Sequence, residues 1–198
     1  MQKYNEDDFL EPGLMLSLYA QGAFPMADSE SGLIEWYMPE TRTIIPLDNY
    51  NYPRSLRKFI QNSGFEVRYD TDFLSVVIGC SNRTPTWISK KLIDAYLRLL
   101  KLGYVHTVET WLNGKLVGGL YGITYKGAFF GESMFSLVQQ ASKFALIRLI
   151  EHLNEKKYAL LDVQYRTDHL AMFGAEEIEF DAYKTLLEEA YLREVSFI

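Results

Sequence analysis

The chain contains 198 residues, of which 48% are hydrophobic and 23% are charged, and its formal net charge at pH 7 is −6. This size and composition predict one globular domain, or one domain with a small lobe, and enough apolar material for a core. The acidic balance gives no general sign of nucleic-acid binding, so such binding would require a local basic patch.

The cellular location can be predicted from what the sequence lacks. No apolar run reaches the length of a membrane span, and the first eight residues lack the basic and apolar segments of a signal peptide. Cys80 is the single cysteine, which excludes an internal disulfide and is typical of a reducing cytoplasm. We therefore expect a cytoplasmic protein that does not contact a membrane.

The first part of the chain contains two predicted helices. One covers residues 14–21 and is closed by a glycine. The second covers residues 53–62, begins at a proline, and places Arg54, Arg57 and Lys58 on neighbouring faces. This is the best basic patch in the chain, and it is either a nucleic-acid contact or an ordinary solvated helix face.

Three further elements precede the central sheet. The pattern predicts a strand over 65–69, a helix that Asp72 caps and that runs to about residue 79, and a strongly amphipathic helix over 90–102 that Ser89 caps.

The centre of the chain predicts a three-stranded antiparallel meander. Its strands cover residues 106–112, 115–125 and 128–134. Asn113-Gly114 is a strong signal for a type I′ hairpin turn, and Lys126-Gly127 supplies the second turn.

Glu132 is the one ionisable residue in the otherwise apolar strand 128–134. A carboxylate in such a strand is costly unless it has a partner or a function. Two interpretations remain open. Glu132 either faces a cleft and meets a substrate, or it is an edge residue that points to water or is neutralised by a buried Arg or Lys.

The remaining elements alternate between helix and strand. A short buried strand over 159–164 carries Asp162 and Gln164, which a period of two places on the same face. The other elements are helices over 139–154, 169–173 and 181–192 and an extended segment over 177–180.

A metal centre or a cysteine nucleophile is not expected. His106, His152 and His169 show no ligand spacing among themselves or with Cys80. Cys80 ends an apolar helix with no base beside it in sequence, so its thiol should stay protonated.

The order helix, meander, helix, strand, helix, strand is that of the GNAT acyltransferases. We therefore predict an α/β fold, a GNAT-like (acyl-CoA N-acyltransferase-like) sandwich with a mixed, largely antiparallel sheet. Residues 1–62 would form a small N-terminal lobe, and residues 63–198 the catalytic domain. Residues 135–141 contain no glycine and no arginine, so the phosphate-binding loop that an acetyl-CoA enzyme needs is missing, which argues against CoA as the donor.

Several segments, in the same order along the chain, resemble one family closely. They are Ala20-Gln21-Gly22-Ala23-Phe24-Pro25, Thr86-Trp87-Ile88, Val117-Gly118-Gly119-Leu120-Tyr121-Gly122, Gly131-Glu132-Ser133-Met134-Phe135-Ser136, Asp162-Val163-Gln164 and Asp168-His169. The chain thereby resembles the leucyl/phenylalanyl-tRNA–protein transferases, bacterial enzymes of the N-degron pathway of protein degradation. The resemblance implies transfer of Leu or Phe, or Met, from aminoacyl-tRNA to the N-terminal Arg or Lys of a protein, with no cofactor and no metal.

The resemblance also implies the site residues. The family's active-site positions fall on Glu132, Asp162 and Gln164. The pocket for the donor side chain falls on Leu120, Phe129, Met134, Leu146, Leu149, Leu153 and Leu161. The positions near the terminal adenosine of the tRNA match Tyr19, Trp87 and Tyr96. The positions near the tRNA backbone match Arg54, Arg57 and Lys58.

Aminolysis of an ester is compatible with these polar groups. An α-amine is neutral in roughly a tenth to a fifth of molecules at pH 7, so positioning and oxyanion stabilisation can supply most of the rate. We expect Gln164 to orient the amine, Asp162 to hold Gln164, and Glu132 to receive the donor's α-ammonium group. Two alternatives are a GNAT- or FemX-like acyltransferase with another donor or acceptor, and a non-catalytic binder of tRNA or protein N-termini.

Overall fold

A computed structural model describes residues 8–28 and 30–198. Within these residues the chain is an α/β protein with a mixed sheet. The α-helices are α1 (Pro12–Ala20), α2 (Arg54–Asn62), α3 (Phe73–Ser81), α4 (Lys90–Lys101), α5 (Ala141–Glu155), α6 (Asp168–Ala171) and α7 (Phe180–Tyr191). The strands are β1 (Phe24–Ala27), β2 (Ile34–Tyr37), β3 (Thr41–Ile44), β4 (Glu66–Tyr69), β5 (Val105–Leu112), β6 (Lys115–Tyr125), β7 (Ala128–Ser136), β8 (Leu160–Gln164) and β9 (Glu176–Glu179).

The main sheet is largely antiparallel. Its strand order is β4-β5-β6-β7-β8-β3-β9, while β1 and β2 form a separate two-stranded ribbon. The strands β7 and β8 pair in parallel, and the other neighbours in this sheet pair antiparallel. The helix α5 connects the two parallel strands, as a parallel pair requires a long crossover.

The predicted meander is confirmed as β5, β6 and β7. Asn113 and Gly114 have φ values of 51° and 72°, as the two central residues of a type I′ turn require. Lys126 has a φ of 52° in the second turn.

The predicted helix caps are also confirmed. Asp72 accepts the backbone N–H of Ser75 at 3.0 Å, and Ser89 accepts that of Leu92 at 3.3 Å. These side-chain acceptors satisfy N–H groups that the first turn of a helix leaves unpaired.

Strands β1, β2 and β3 were not predicted. Each is four residues long, which is too short for a period of two to be recognised, and β1 contains Pro25. The strand β3 pairs with β8 and β9, which lie more than 100 residues away along the chain. Pairing at this distance leaves no local signal in the sequence.

Apolar side chains form two clusters on the two faces of the sheet. Successive residues of one strand belong to different clusters, with Leu120 and Phe129 in one and Tyr121 and Phe130 in the other. The first cluster includes residues of α2, α5 and α6, and the second includes residues of α1, α3, α4 and α7. Among the described residues, no helix combines the length and the apolar character needed to cross a bilayer.

Candidate active site

Glu132 is the extra residue of a β-bulge between β6 and β7. Tyr121 pairs with Ser133 and Gly122 pairs with Gly131, so that Glu132 has no partner in the register. A bulge changes the direction of the side chain that it carries. The bulge therefore explains why the polar side chain of Glu132 can point away from the apolar side chains of the same strand.

The carboxylate of Glu132 accepts three hydrogen bonds. The hydroxyl of Tyr19 donates to Oε1 at 2.9 Å, the hydroxyl of Tyr96 donates to Oε2 at 2.7 Å, and Nε2 of Gln164 donates to Oε1 at 3.1 Å. Only 8% of Glu132 is exposed, and β7 is an interior strand of the sheet, so Glu132 is not an edge residue that points to water.

Burial raises the pKa of Glu132 to about 7, although the hydrogen bonds from Tyr96 and Tyr19 act to lower it. Its hydrogen-bond partners are neutral groups, and the buried Arg42 donates instead to Asp162. A cation that binds beside Glu132 would therefore lower its pKa and favour the ionised carboxylate.

Asp162 is the centre of a second, buried cluster of polar side chains. It forms a salt bridge with the guanidinium of Arg42 and accepts the hydroxyl of Tyr183 at 2.7 Å. Arg42 also donates to the carbonyl oxygen of Gly22 at 2.7 Å. Because breaking a buried ion pair is costly, this arrangement makes the end of β8 rigid.

Asp162 contacts Gln164 through the backbone. Its Oδ1 accepts the backbone N–H of Gln164 at 2.8 Å, and the Gln164 side chain donates to Glu132. Gln164 has a φ of 64°, in the left-handed region, so the strict alternation expected for this strand ends there. The result is a connected chain of hydrogen bonds from Arg42 through Asp162 and Gln164 to Glu132.

A cavity of about 410 Å³ opens beside this chain of hydrogen bonds. Glu132 and Gln164 line it, and most of its exposed wall is apolar. Of the residues predicted for a donor side-chain pocket, five line this cavity: Leu120, Met134, Leu146, Leu149 and Leu161. Phe129 and Leu153 are not among the lining residues. Both are fully buried in the core, where the Phe129 ring packs against Phe197 at 5.7 Å between centroids.

The residues predicted to lie near a terminal adenosine separate into two groups. Trp87 lines the cavity, together with Met26 and Arg83. Tyr19 and Tyr96 are fully buried and hold the Glu132 carboxylate, and they are not among the lining residues.

The basic patch lies apart from the cavity. Arg54, Arg57 and Lys58 are exposed on α2, and none of them lines the cavity. The Arg57 guanidinium lies over the Tyr52 ring at 5.1 Å.

Several residues at the site had no assigned role from the sequence. Arg42 and Tyr183 hold Asp162. Arg83 donates to Ser133 at 3.2 Å at the cavity wall, and His169 lines the cavity with its pKa lowered by burial and by Lys143. The sequence placed Tyr183 only within the predicted helix 181–192, and its partner Asp162 lies 21 residues earlier.

The described residues contain no group of three or more His, Cys, Asp and Glu side chains that could hold a metal ion. Burial raises the pKa of Cys80 to about 12, so its thiol stays protonated at neutral pH, as predicted.

Known proteins resemble this chain over most of its length. A family model described as leucyl/phenylalanyl-tRNA protein transferase matches residues 44–188, and a model described as the N-terminal domain of the same transferase matches residues 9–40. The leucyl/phenylalanyl-tRNA–protein transferase of Salinibacter ruber is 43% identical over 183 residues, which cover 92% of this chain and 81% of the relative. That of Gloeobacter violaceus is 45% identical over 181 residues, which cover 91% of this chain and 94% of the relative.

Among solved structures, a functionally unknown conserved protein from Staphylococcus epidermidis matches with a TM-score of 0.44 and 11% sequence identity. The match covers 90% of this chain and 66% of that chain.

Proposed function

Because the chain belongs to the leucyl/phenylalanyl-tRNA protein transferase family, whose members are aminoacyltransferases, we propose that it transfers Leu or Phe from an aminoacyl-tRNA to the N-terminal Arg or Lys of an acceptor protein. The observation that carries this proposal is the junction of a buried carboxylate–amide pair, Glu132 and Gln164, with an apolar cavity. An ester of Leu or Phe presents the complementary combination, an α-ammonium group next to an apolar side chain.

The apolar wall supports Leu and Phe as donors. Leu120, Met134, Leu146, Leu149 and Leu161 offer no hydrogen-bonding side chain, so a polar donor side chain that packs against these five residues would lose its water without compensation. Such a pocket separates similar apolar side chains by only about 1–3 kcal/mol. Met is therefore a further donor in this proposal.

Glu132 receives the α-ammonium group of the donor. The burial that raises its pKa also strengthens its interaction with a cation, because few water molecules compete. Tyr19 and Tyr96 position the carboxylate, and we assign them this role rather than a contact with the adenosine because both are fully buried.

Gln164 orients the acceptor amine. The amine attacks the ester carbonyl carbon, the bond to the 3′-oxygen of the tRNA breaks, and the proton lost by the amine ends on that oxygen. The products are a protein extended by one residue and a tRNA with a free 3′-hydroxyl. The contacts of Asp162 with Arg42, Tyr183 and the Gln164 backbone fix the geometry before the substrate binds.

The tRNA binds through two regions. Trp87 stacks on the terminal adenosine at the cavity wall, and Arg54, Arg57 and Lys58 contact the phosphate backbone from α2. With few such contacts, the affinity should depend only weakly on salt concentration.

We also propose a GNAT-like fold, with a lobe of residues 1–62 and a catalytic domain of residues 63–198. The strand β3 of the lobe joins the main sheet and brings Arg42 to Asp162. The cellular role in this proposal is protein degradation through the N-degron pathway in the cytoplasm.

A transfer assay tests the activity directly. tRNA charged with labelled Leu or Phe is offered to a protein with N-terminal Arg, to one with N-terminal Lys, and to a control with N-terminal Asp. We expect label on the first two acceptors and none on the third. Glu132→Gln should lower kcat/KM at least tenfold, while the exposed control Glu177→Gln should not. No transfer to Arg or Lys, or a fully active Glu132→Gln variant, would contradict the proposal.

A further inference from the structure

Arg83 is a cation on the cavity wall that no carboxylate neutralises. It lies in the loop 82–89 between α3 and α4, its side chain is exposed, and it lines the cavity. Its Nη2 donates to the hydroxyl of Ser133 at 3.2 Å. Within residues 8–28 and 30–198 it forms no salt bridge. Because a guanidinium has five N–H donors, this neutral contact holds the group and leaves other donors for a ligand.

The cavity therefore carries two opposite charges. Among its described lining residues, Arg83 is the one Lys or Arg, and Glu132 is the one Asp or Glu. Burial lowers the pKa of His169, so this imidazole adds no charge at neutral pH. The two charged residues lie close together, because the partner of Arg83, Ser133, follows Glu132 on β7.

The end of an aminoacyl-tRNA carries the complementary pair of charges. This step rests on the proposed function, in which Glu132 receives the α-ammonium group and the apolar wall receives the side chain. The ester, the ribose and the adenine are neutral. The remaining charge of the terminal nucleotide is negative and lies on the phosphodiester group at its 5′-oxygen. Arg83 is the lining residue whose charge matches that group.

The loop 82–89 places the two binding groups for one nucleotide near each other. It also carries Trp87, which lines the cavity and stacks on the adenine in the proposed function. Base and 5′-phosphate are attached to the same ribose, so the residues that bind them must be neighbours. Arginine suits the second role because its planar fork can donate to two phosphate oxygens at once.

We infer that Arg83 binds the phosphodiester group on the 5′ side of the terminal adenosine of the donor tRNA, and that its guanidinium donates hydrogen bonds to the two non-bridging oxygens. This contact and the contact of Glu132 with the ammonium group hold the donor on both sides of the reacting ester. Arg83 is a binding residue in this arrangement and does not touch the ester carbonyl.

A double-mutant cycle between protein and substrate tests the contact. Arg83→Gln removes the positive charge, and a charged tRNA with a methylphosphonate in place of the last phosphodiester removes the negative charge. We expect each change alone to lower kcat/KM by roughly 10- to 100-fold, the usual size of a charge-assisted hydrogen bond, and the two together to lower it by the same factor. Losses that multiply, or an Arg83→Gln variant with wild-type kcat/KM, would overturn the inference.

Lys90→Gln is the matched control for charge. Lys90 is exposed at the start of α4, shortly after Arg83 in the chain, and it does not line the cavity. This variant loses the same charge but should keep the full sensitivity to the methylphosphonate. If it loses that sensitivity as Arg83→Gln does, only the overall charge of this region matters and the inference fails.

The kinetic constants separate a phosphate contact from a catalytic role. The phosphate keeps its charge throughout the reaction, so Arg83→Gln should raise the KM for charged tRNA and leave kcat unchanged, and Arg83→Lys should recover part of the loss. A lower kcat at unchanged KM would place Arg83 at the reacting carbonyl and would overturn the inference. Since Arg83 is exposed, the Tm of Arg83→Gln should equal that of the wild type. A lower Tm with losses that multiply would show that Arg83 only holds its loop.

The proposed function can fail independently of this contact. If the wild type transfers nothing from ordinary charged tRNA, the proposed function is wrong. The same cycle is then measured as the Kd for charged tRNA, with and without the methylphosphonate. Equal affinity of the wild type for the two tRNAs would overturn the inference as well.

Discussion

Glu132 and Asp162 are both buried, but their charges are compensated in different ways. Asp162 is matched by the full positive charge of Arg42, whereas Glu132 accepts hydrogen bonds from neutral tyrosine and glutamine side chains. A buried carboxylate without a cationic partner is destabilising. In the proposed mechanism, the α-ammonium group of the donor supplies that cation, so that part of the binding energy comes from a charge that the free protein leaves uncompensated.

The stability of the protein should therefore depend on pH through Glu132. The pKa of this group is about 7 in the folded state and 4.5 for an ordinary glutamate. Between these values the folded protein keeps a proton that the unfolded chain has released, so stability falls as the pH rises through this window. The slope is at most about 1.4 kcal/mol per pH unit, and the loss is complete above pH 7.

Urea unfolding of the wild type and Glu132→Gln at pH 5 and pH 8 measures this effect. The variant cannot ionise, so the wild type should lose stability relative to it between the two pH values. Glu177→Gln, at an exposed position, should show no such difference. An equal pH dependence for the wild type and Glu132→Gln would exclude a raised pKa at Glu132.

The hairpin of β6 and β7 is the element that presents Glu132, and its close packing depends on glycine. A Cβ atom at Gly122 would overlap the carbonyl oxygen of Phe130 and the ring of Phe129. Gly122 is also the residue that follows Tyr121 at the bulge. The absence of a side chain at this position allows the two strands to approach while the bulge turns Glu132.

Gly122→Ala should destabilise the protein by about 1–3 kcal/mol, the usual cost of overpacking, and should lower transfer activity as the bulge shifts. Gly13→Ala is the matched control, because a Cβ atom there meets nothing within 4 Å and the residue lies in α1. The control should leave the stability unchanged or raise it slightly, because alanine has a better helix propensity than glycine. Urea midpoints of both variants measure the difference, and an unchanged midpoint for Gly122→Ala would contradict this packing argument.

Elements with a strong local pattern could be predicted, and those that depend on distant contacts could not. The Asn113-Gly114 turn and the helix that Ser89 caps are specified by adjacent residues. In contrast, β3 pairs only with distant strands, and the left-handed φ of Gln164 ends an alternation that the sequence suggests should continue.

The site as a whole depends on contacts between distant parts of the chain. The residues Arg42 and Asp162 are 120 positions apart, and Tyr19 and Glu132 are 113 apart. Glu132 could be predicted because it interrupts an apolar strand. Arg42 could not, because its four-residue strand resembles an exposed polar segment until the sheet is assembled.

On the scale of the whole molecule, an acidic protein with a net charge of −6 must bind a polyanion through a local patch. The exposed cations of α2 are on the face of the sheet where α5 packs, while α4 and α7 pack on the opposite face. This separation allows a matched comparison of two pairs of cations. The double variant Arg54→Ala/Lys58→Ala removes two charges from α2, and Lys101→Ala/Lys184→Ala removes two exposed charges from α4 and α7.

If α2 contacts phosphates, the first double variant should bind tRNA more weakly. Because fewer counterions are released on binding when phosphate contacts are lost, the slope of log affinity against log salt concentration should become shallower by about 1–2. The second double variant changes the net charge equally and should keep the wild-type slope. In transfer assays the loss should be found in KM, with kcat unchanged at saturating tRNA, since α2 lies outside the cavity. Equal slopes for the two double variants would mean that only the overall charge matters, and that the α2 patch is an ordinary solvated face.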